Sequence, residues 1–364
     1  LVISELDALK SHLRVSGNKR RDALNRILDL KGSIRVFCRT RPFLVNETRA
    51  RPGPTVAPQW EKVMIKALGR NKEFHFDKVF LPEATQEDVF TEVEPILRSA
   101  LDGHNVCIFA YGQTGSGKTY TMEGRQDSPG VVPRTIQELF RQAALDGTST
   151  FTFTYSMVEV YMRCLQDLLV HRPTRFTDPS PKCLSIQMDA HGGVEIENLR
   201  EVVVRDFNEA IQWYHIGSRA RSTAWTNANE ASSRSHCLIR VVIRSSAHEH
   251  THTNISKLWM IDLGGSERLL KTQATSQTME EGKAINLSLS ALGDVISALQ
   301  KKQSHIPYRN SKLTQILRDS LGHDSKTLML VHISPKEDDL AETVCSLKFA
   351  TRARGIQLGR ELSD

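Results

Sequence analysis

The chain has 364 residues, of which 39% are hydrophobic and 25% charged, and its formal charge is +6. That length fits one large domain or two ordinary ones, and the balance is that of a globular protein. No apolar run approaches the roughly 20 residues a bilayer span needs, and no dense basic block suits a nucleic acid, so neither partner is expected.

The first stretch, residues 1–31, has a seven-residue rhythm. Val2, Leu6, Leu9, Leu13, Ser16, Arg20, Ala23, Ile27 and Leu30 are spaced alternately four and three apart. All but Ser16 and Arg20 are apolar, which predicts the seam of a two-stranded coiled coil. A single amphipathic helix packed on its own domain is the alternative. Gly17 and the polar pair weaken the seam, so this fragment alone is expected to be monomeric.

Gly32 ends that helix, and Ser33 to Pro42 (SIRVFCRTRP) alternates as a strand. Residues 45–60 bear prolines and read as a loop, and 72–80 as a short strand. Helical spacing returns over 85–101, with Thr85 as its cap. Helices are predicted at 133–144, 208–218, 284–300, 312–321 and 341–354. Strands are predicted at 150–161, 236–245, 256–263 and 327–333, with a loop over 172–182 and short strands over 183–204. Their interleaving, without a break in composition, predicts one α/β domain over 32–356. Its sheet should be mostly parallel or mixed, with helices on both faces. Residues 1–31 then form a neck and 357–364 a short tail. The six cysteines (Cys38, Cys107, Cys164, Cys183, Cys237 and Cys345) form no C-x-x-C pair. Buried free thiols in a reducing, cytoplasmic setting are the expectation.

The chemistry starts at Val106–Met122 (VCIFAYGQTGSGKTYTM). A buried strand leads into G-x-x-x-x-G-K-[ST]. Gly112, Gly115 and Gly117 allow the backbone to curl so that successive N–H groups face one anionic ligand. Lys118 adds charge at the β- and γ-phosphates, the Thr119 hydroxyl can ligate Mg²⁺, and the following helix turns its positive end to the same place. A nucleoside triphosphate is the implied ligand. Downstream, Asp262 ends a strand and opens DLGGSE, as expected of a group holding the metal's water shell. Asn229 to His236 (NEASSRSH) is a second hydroxyl-rich cluster.

Taken together, RTRP at 39–42, YGQTGSGKT at 111–119, NEASSRSH, DLGGSE, INLSLSALGDVISAL at 285–299 and HIPYRNSKLT at 305–314 make the chain resemble the kinesin motor domain. The helix running through LKGSIRVFCRTRP looks like the neck of the C-terminal-motor, minus-end-directed (kinesin-14) subfamily. ARSTAWTNANEASSRSHC looks plant-like. The resemblance implies a P-loop NTPase fold, ATP or ADP with Mg²⁺ as ligands, and a microtubule-stimulated ATPase bound to tubulin in the cytoskeleton. A homodimer would form through the upstream neck.

It also implies roles. Arg39, Pro42 and Tyr120, with Arg41 and Tyr111 nearby, would face the adenine. Gly112, Gln113, Thr114, Gly115, Ser116, Gly117, Lys118 and Thr119 would hold the phosphates, with Asn229 beside them. Ser233 and Asp262 would reach Mg²⁺ through water. Arg234 and Glu267 would latch the two switch segments, with Gly265 in the second, and Glu267 or a water-linked Ser232 would accept a proton. Lys271, Lys283, Asn286, Lys301, Lys302, Arg309 and Lys312 would face the track. Four departures bear on rate and affinity: Gly264 for a usual Ala, Leu287 for a usual Lys, a glycine-free Thr272–Thr278, and Met162-Arg163 for a common Asn-Glu.

Two other functions compete. A GTPase is disfavoured, because Asn71-Lys72 is followed by Glu-Phe and no Asn-Lys-x-Asp is present. A non-motile microtubule-binding module that has lost the cycle keeps some support from the departures. His248–His252 (HEHTH) satisfies H-E-x-x-H, but a hairpin tip does not converge its histidines on one zinc as a helix does.

Overall fold

The computed structural model describes residues 2–30, 32, 34–47, 55–56, 61–67, 70–170, 183–189, 193–223, 233–247, 253–268, 276–321 and 325–356. Helix α1 spans Val2–Leu30, and β1 follows at Ile34–Thr40. Three strands, β2 (Thr55–Val56), β3 (Lys62–Ala67) and β4 (Arg70–His75), make a small antiparallel sheet. Then come β5 (Lys78–Phe80), α2 (Gln86–Leu101), β6 (Val106–Tyr111) and α3 (Lys118–Met122). A hairpin of β7 (Gly124–Arg125) and β8 (Ser128–Pro129) leads to α4 (Val131–Leu145). Strands β9 (Ser149–Tyr161), β10 (Cys164–Asp167), β11 (Ile186–Met188), β12 (Val194–Ile196) and β13 (Val202–Val204) precede α5 (Phe207–Thr223). Long strands β14 (His236–Ala247) and β15 (Thr253–Asp262) lead to α6 (Ser276–Gln300) and α7 (Lys312–Ile316). Strand β16 (Lys326–Ile333) and α8 (Leu340–Arg354) complete the described fold.

The main sheet runs β10-β9-β14-β15-β6-β16-β1-β5, with β13 beside β9. From β15 to β5 the neighbours are parallel, and β14 is antiparallel to both β9 and β15. The expected mixed sheet is therefore present. Every residue of β1, β6 and β16 is buried, because helices cover both faces. Alternation divides β6 between two cores. Cys107, Phe109 and Tyr111 pack with Ile285, Leu292, Leu313 and Leu347 of α6, α7 and α8. Val106, Ile108 and Ala110 pack with Val93, Val132 and Tyr214 of α2, α4 and α5.

Thr85 caps α2 as expected. Its hydroxyl accepts from the Asp88 N–H at 3.1 Å, while the Asp88 carboxylate accepts from the Thr85 N–H at 2.7 Å. Thr85→Ala should cost about 1 kcal/mol, read as a lowered thermal midpoint with unchanged nucleotide affinity.

Three expectations need correction. The single strand over 72–80 is two strands in different sheets. Asp77 makes the break, binding the Val36 N–H through its carboxylate at 2.7 Å and donating its own N–H to the Val36 carbonyl at 3.0 Å. The loop over 45–60 contains β2, and β3 beyond it had no strong alternation to announce it. Finally, Cys164 and Cys183 are joined, with Cα atoms 5.3 Å apart, rather than free. The Leu184 N–H bonds the Leu165 carbonyl at 2.8 Å, which lays that segment alongside β10. Cys38, Cys107 and Cys237 are free and buried, as expected, and Cys345 is free and half-buried.

Helix α1 shows both of its anticipated faces. Leu28, outside the seam, is 4% exposed, while Leu9 and Leu30 within it are 63% and 81% exposed. The inner face is tied down by polar groups. Asn25 accepts from the Ser99 hydroxyl at 2.9 Å, Arg21 lies 3.2 Å from Asp102, and Asp29 pairs with Lys326. Among the described residues, no helix is long and apolar enough to cross a membrane.

Candidate functional site

The site lies where β6, β15 and β16 end together. Gly112 leaves β6 with φ 151°, and a Cβ there would lie 2.4 Å from the His332 carbonyl oxygen of β16. Only glycine can turn the chain so close to a neighbouring strand. Gly117, at φ 99°, opens α3. Between them a Cβ at Gly115 would meet nothing within 4 Å, so the loop is open where phosphates would enter. Lys118 is buried and donates to the carbonyls of Gly112 and Gln113 at 2.8 and 2.9 Å. The Ser116 hydroxyl also donates to Gln113. Burial holds the Lys118 ammonium below its ordinary pKa, which favours an arriving anion.

Beside the loop, the Thr119 hydroxyl donates to Asp262 Oδ2 at 2.9 Å. The other oxygen, Oδ1, is buried with no hydrogen-bond partner. An orphaned carboxylate oxygen next to a hydroxyl suits a hard cation with its water shell. The structure adds a residue that no motif indicated. Arg221, in the last turn of α5, puts Nη1 2.9 Å from Asp262 and 3.5 Å from Glu123. Burial opposes its charge, yet Cys237, Asp262 and Glu123 raise its pKa above the ordinary value. Burial raises the pKa of Glu123.

The two switch segments meet through their backbones. The Gly265 N–H donates to the Ser233 carbonyl at 2.8 Å, and the Ser266 N–H to the Gly112 carbonyl at 3.1 Å. A Cβ on Gly265 would lie 2.3 Å from both the Glu267 carboxylate and the Thr114 hydroxyl, so a larger residue would have to displace that pair. The latch, however, is partnered differently from the expectation. Both oxygens of Glu267 accept from Thr114, at 2.8 Å from its N–H and 2.6 Å from its hydroxyl. Arg234 instead lies 3.3 Å from Glu281 of α6, which also accepts from Tyr161 at 2.8 Å. This is an unlatched arrangement, in which the phosphate loop itself holds the Glu267 carboxylate. Ser232 and Asn229 lie outside the described residues.

The adenine-facing set is corrected in part. Arg39 is buried, and its guanidinium donates to Gln86, Thr121 and Ala84 at 2.7, 2.9 and 3.0 Å. It supports Tyr120 from below, 5.5 Å from the ring centroid, while Arg125 sits 5.7 Å from the same ring. Tyr120 and Pro42 are exposed. Arg41 is bound to Glu47 at 2.6 and 2.8 Å beside the loop. Tyr111 does not join them. It stacks on Phe349 with centroids 4.2 Å apart, inside the opposite core, and burial pushes its hydroxyl up to about 12. As the last residue of β6 it alternates inward, which a motif reading does not register.

The pattern that describes the kinesin motor domain matches residues 39–356. The chain belongs to the kinesin family. It is 58% identical over 365 aligned residues to "Kinesin-like protein KIN-14O" of Oryza sativa subsp. japonica, covering 99% of this chain and 60% of that protein. Against "Kinesin-like protein KIN-14T" of Arabidopsis thaliana the identity is 55%, covering 99% of this chain and 41% of that protein. The chain thus spans about half the length of these relatives. Among solved kinesins, the "C-terminal motor and motor homology domain of Kar3Vik1 fused to a synthetic heterodimeric coiled coil" superposes with a TM-score of 0.82 at 35% identity. That match covers 96% of this chain and 92% of the other. A structure described as that of "a fast kinesin" gives 0.81 at 36%, covering 91% and 95%. The expected likeness to plant kinesin-14 proteins is borne out.

The face expected to meet the track is only partly gathered. Helix α6 starts at Ser276, two turns before the sequence reading placed it, so Asn286 lies in its third turn rather than at its start. Arg309 and Lys312 line a cavity of about 540 Å³ together with Met162, Arg163 and Leu287. Lys283 pairs with Glu280 at 2.6 Å, and Lys301 and Lys302 are exposed beyond the end of α6. Lys271 lies outside the described residues. Leu287 is 52% exposed in this surface. Met162 and Arg163 turn β9 into β10 with φ of 49° and 65°, the left-handed pair of a two-residue hairpin.

Proposed function

We propose that this kinesin domain hydrolyses ATP, is stimulated by microtubules, and drives movement toward the minus end. The observation that carries this reading is the set of backbone bonds joining Gly112 to Ser266 and Gly265 to Ser233. The second switch rests on the phosphate loop and the first is tied to the second, so a change at the γ-phosphate would reach both.

Lys118, with the loop N–H groups from Gln113 to Thr119, would hold the phosphates, exchanging its present carbonyl partners for phosphate oxygens. Tyr120 and Pro42 would face the adenine, with Arg39 fixing Tyr120. Thr119 would bind Mg²⁺ directly, and Ser233 and Asp262 would do so through water. The metal would neutralise charge developing on the phosphates. Arg221 pairs with Asp262 at 2.9 Å and holds its carboxylate in place. Closure would release Glu267 from Thr114 and Arg234 from Glu281 so that the two can pair. Glu267, or Ser232 through a water, then accepts the proton of the attacking water.

Arg309 and Lys312, flanked by Lys271, Lys283, Lys301 and Lys302, would face acidic tubulin, and Asn286 would report the switch state to it. The exposed apolar residues Leu9, Ile27 and Leu30 would pair with a second copy through the upstream neck. A helix that precedes the motor, together with the likeness to kinesin-14 proteins, supports the minus-end direction and a microtubule-associated place in the cytoplasm.

Gliding of polarity-marked microtubules over a dimerised protein tests this. Filaments should move with their plus ends leading, and their binding should weaken steeply with salt. Filaments that are tethered but immobile in ATP would leave a binding module without a cycle.

A further inference from the structure

The cavity beneath Leu287, Arg309 and Lys312 has a polar floor formed by His236 and Ser288. His236 opens β14, immediately after the first switch, and is completely buried. Its two ring nitrogens reach different elements. Nδ1 accepts the N–H of Gly264, in the second switch, at 3.0 Å. Nε2 lies 2.6 Å from the Ser288 hydroxyl on α6. That hydroxyl donates to the Ile285 carbonyl at 2.7 Å, so its lone pair is left to accept the Nε2 proton. The directions are therefore fixed: Gly264 N–H to Nδ1, Nε2–H to Ser288, and Ser288 O–H to Ile285.

This order requires the neutral ring with its proton on Nε2. Burial, together with Arg221 and Lys118, holds the His236 pKa down to about 3, so the ring is neutral at working pH. An imidazolium would set a second donor against the Gly264 N–H.

The same place has an apolar contact. A Cβ on Gly264 would lie 2.9 Å from Ile285 Cδ1 and 3.0 Å from the Ser233 carbonyl. Bare glycine lets α6 rest directly on the second switch, and the chain through His236 fixes its rotation there. Arg234 and Glu281 make a separate tie nearer the start of the helix.

We propose that His236 and Ser288 are positioning residues that transmit the state of the second switch to α6 and so to the surface above it. The link deepens the motor reading and rests on it for its purpose, but it can be tested without a track. The test is hydrogen–deuterium exchange of the protein with and without a non-hydrolysable ATP analogue. In the native protein, the analogue should change exchange in residues 262–268 and in the first half of α6 together. In Ser288→Ala and His236→Asn the change at 262–268 should persist and the change in α6 should be lost. Ser288→Thr, which keeps the hydroxyl, should restore it.

The Ser288 pair keeps the test decisive if His236→Asn folds poorly. An α6 response of native size in Ser288→Ala, or no α6 response in the native protein, overturns the proposal. Microtubule stimulation of the native ATPase is judged separately, so the motor reading and the relay fail on different measurements.

Discussion

Arg221→Ala should lower stability by about 3–5 kcal/mol and weaken nucleotide binding at the same time. The Arg221 and Asp262 side chains are 4% and 6% exposed, and Glu123 is 31% exposed. The loss would come less from the missing attraction than from the carboxylates left without their cation in a water-poor corner. Lysine is a poor substitute, since one ammonium cannot span Asp262, Glu123 and the Ser235 carbonyl, which the guanidinium fork meets at 2.9, 3.5 and 3.4 Å. Arg221→Lys should therefore recover only part of the loss. The pH dependence has a definite sign. Burial already raises the pKa of Glu123 in the folded state, and removing Arg221 raises it further. A carboxyl raised in this way favours the fold while protonated and opposes it as pH climbs through the folded value. The deficit should thus be larger at pH 8 than at pH 5. Thermal unfolding at the two pH values, with a nucleotide titration, checks this. Unfolding midpoints equal to those of the native protein would show the cluster to be solvated and the argument void.

Arg221 also shows where reading the sequence stops. The phosphate loop was legible because its geometry demands glycine at fixed spacing and a lysine at one place, so the residue types nearly state the structure. The buried strands were legible for a similar reason, since β6 and β16 are apolar on both faces. Arg221 stands in SRARST at 218–223, where one of two arginines turns inward because α5 runs five residues past its expected end. Only the packing of α5 against β9 and β13 brings it to Asp262. Tyr111 was misplaced for the converse reason. Its sequence position touches the loop, but strand alternation points its ring at Phe349. The latch is open in this arrangement, and a sequence names partners without saying in which conformation they meet. Glu267 has a Thr114 bond available while the phosphate site is open, and two hydrogen bonds to a carboxylate outweigh a half-exposed ion pair.

That competition leads to the largest expected effect on rate. Glu267→Ala should reduce microtubule-stimulated ATP turnover by roughly 10²–10⁴-fold, the usual contribution of a positioned proton acceptor. The same loss is expected of Arg234→Ala, because either change prevents the pair from forming. Residues that act as one unit lose their function once, so the double variant should be scarcely slower than either single one. Multiplied losses would mean that the two act independently, and the latch would have to be abandoned. The bonds seen here add a change in the opposite direction. Thr114→Val removes the hydroxyl that holds Glu267 at 2.6 Å and leaves only the backbone N–H at 2.8 Å. Weakening the open arrangement by about 1.4 kcal/mol would raise the closed fraction, and with it turnover without microtubules, by up to about 10-fold. Steady-state turnover measured at saturating ATP would show this, because any loss of nucleotide affinity from the altered loop then drops out. A basal rate that fell instead would mean that Thr114 serves the closed site and does not restrain Glu267.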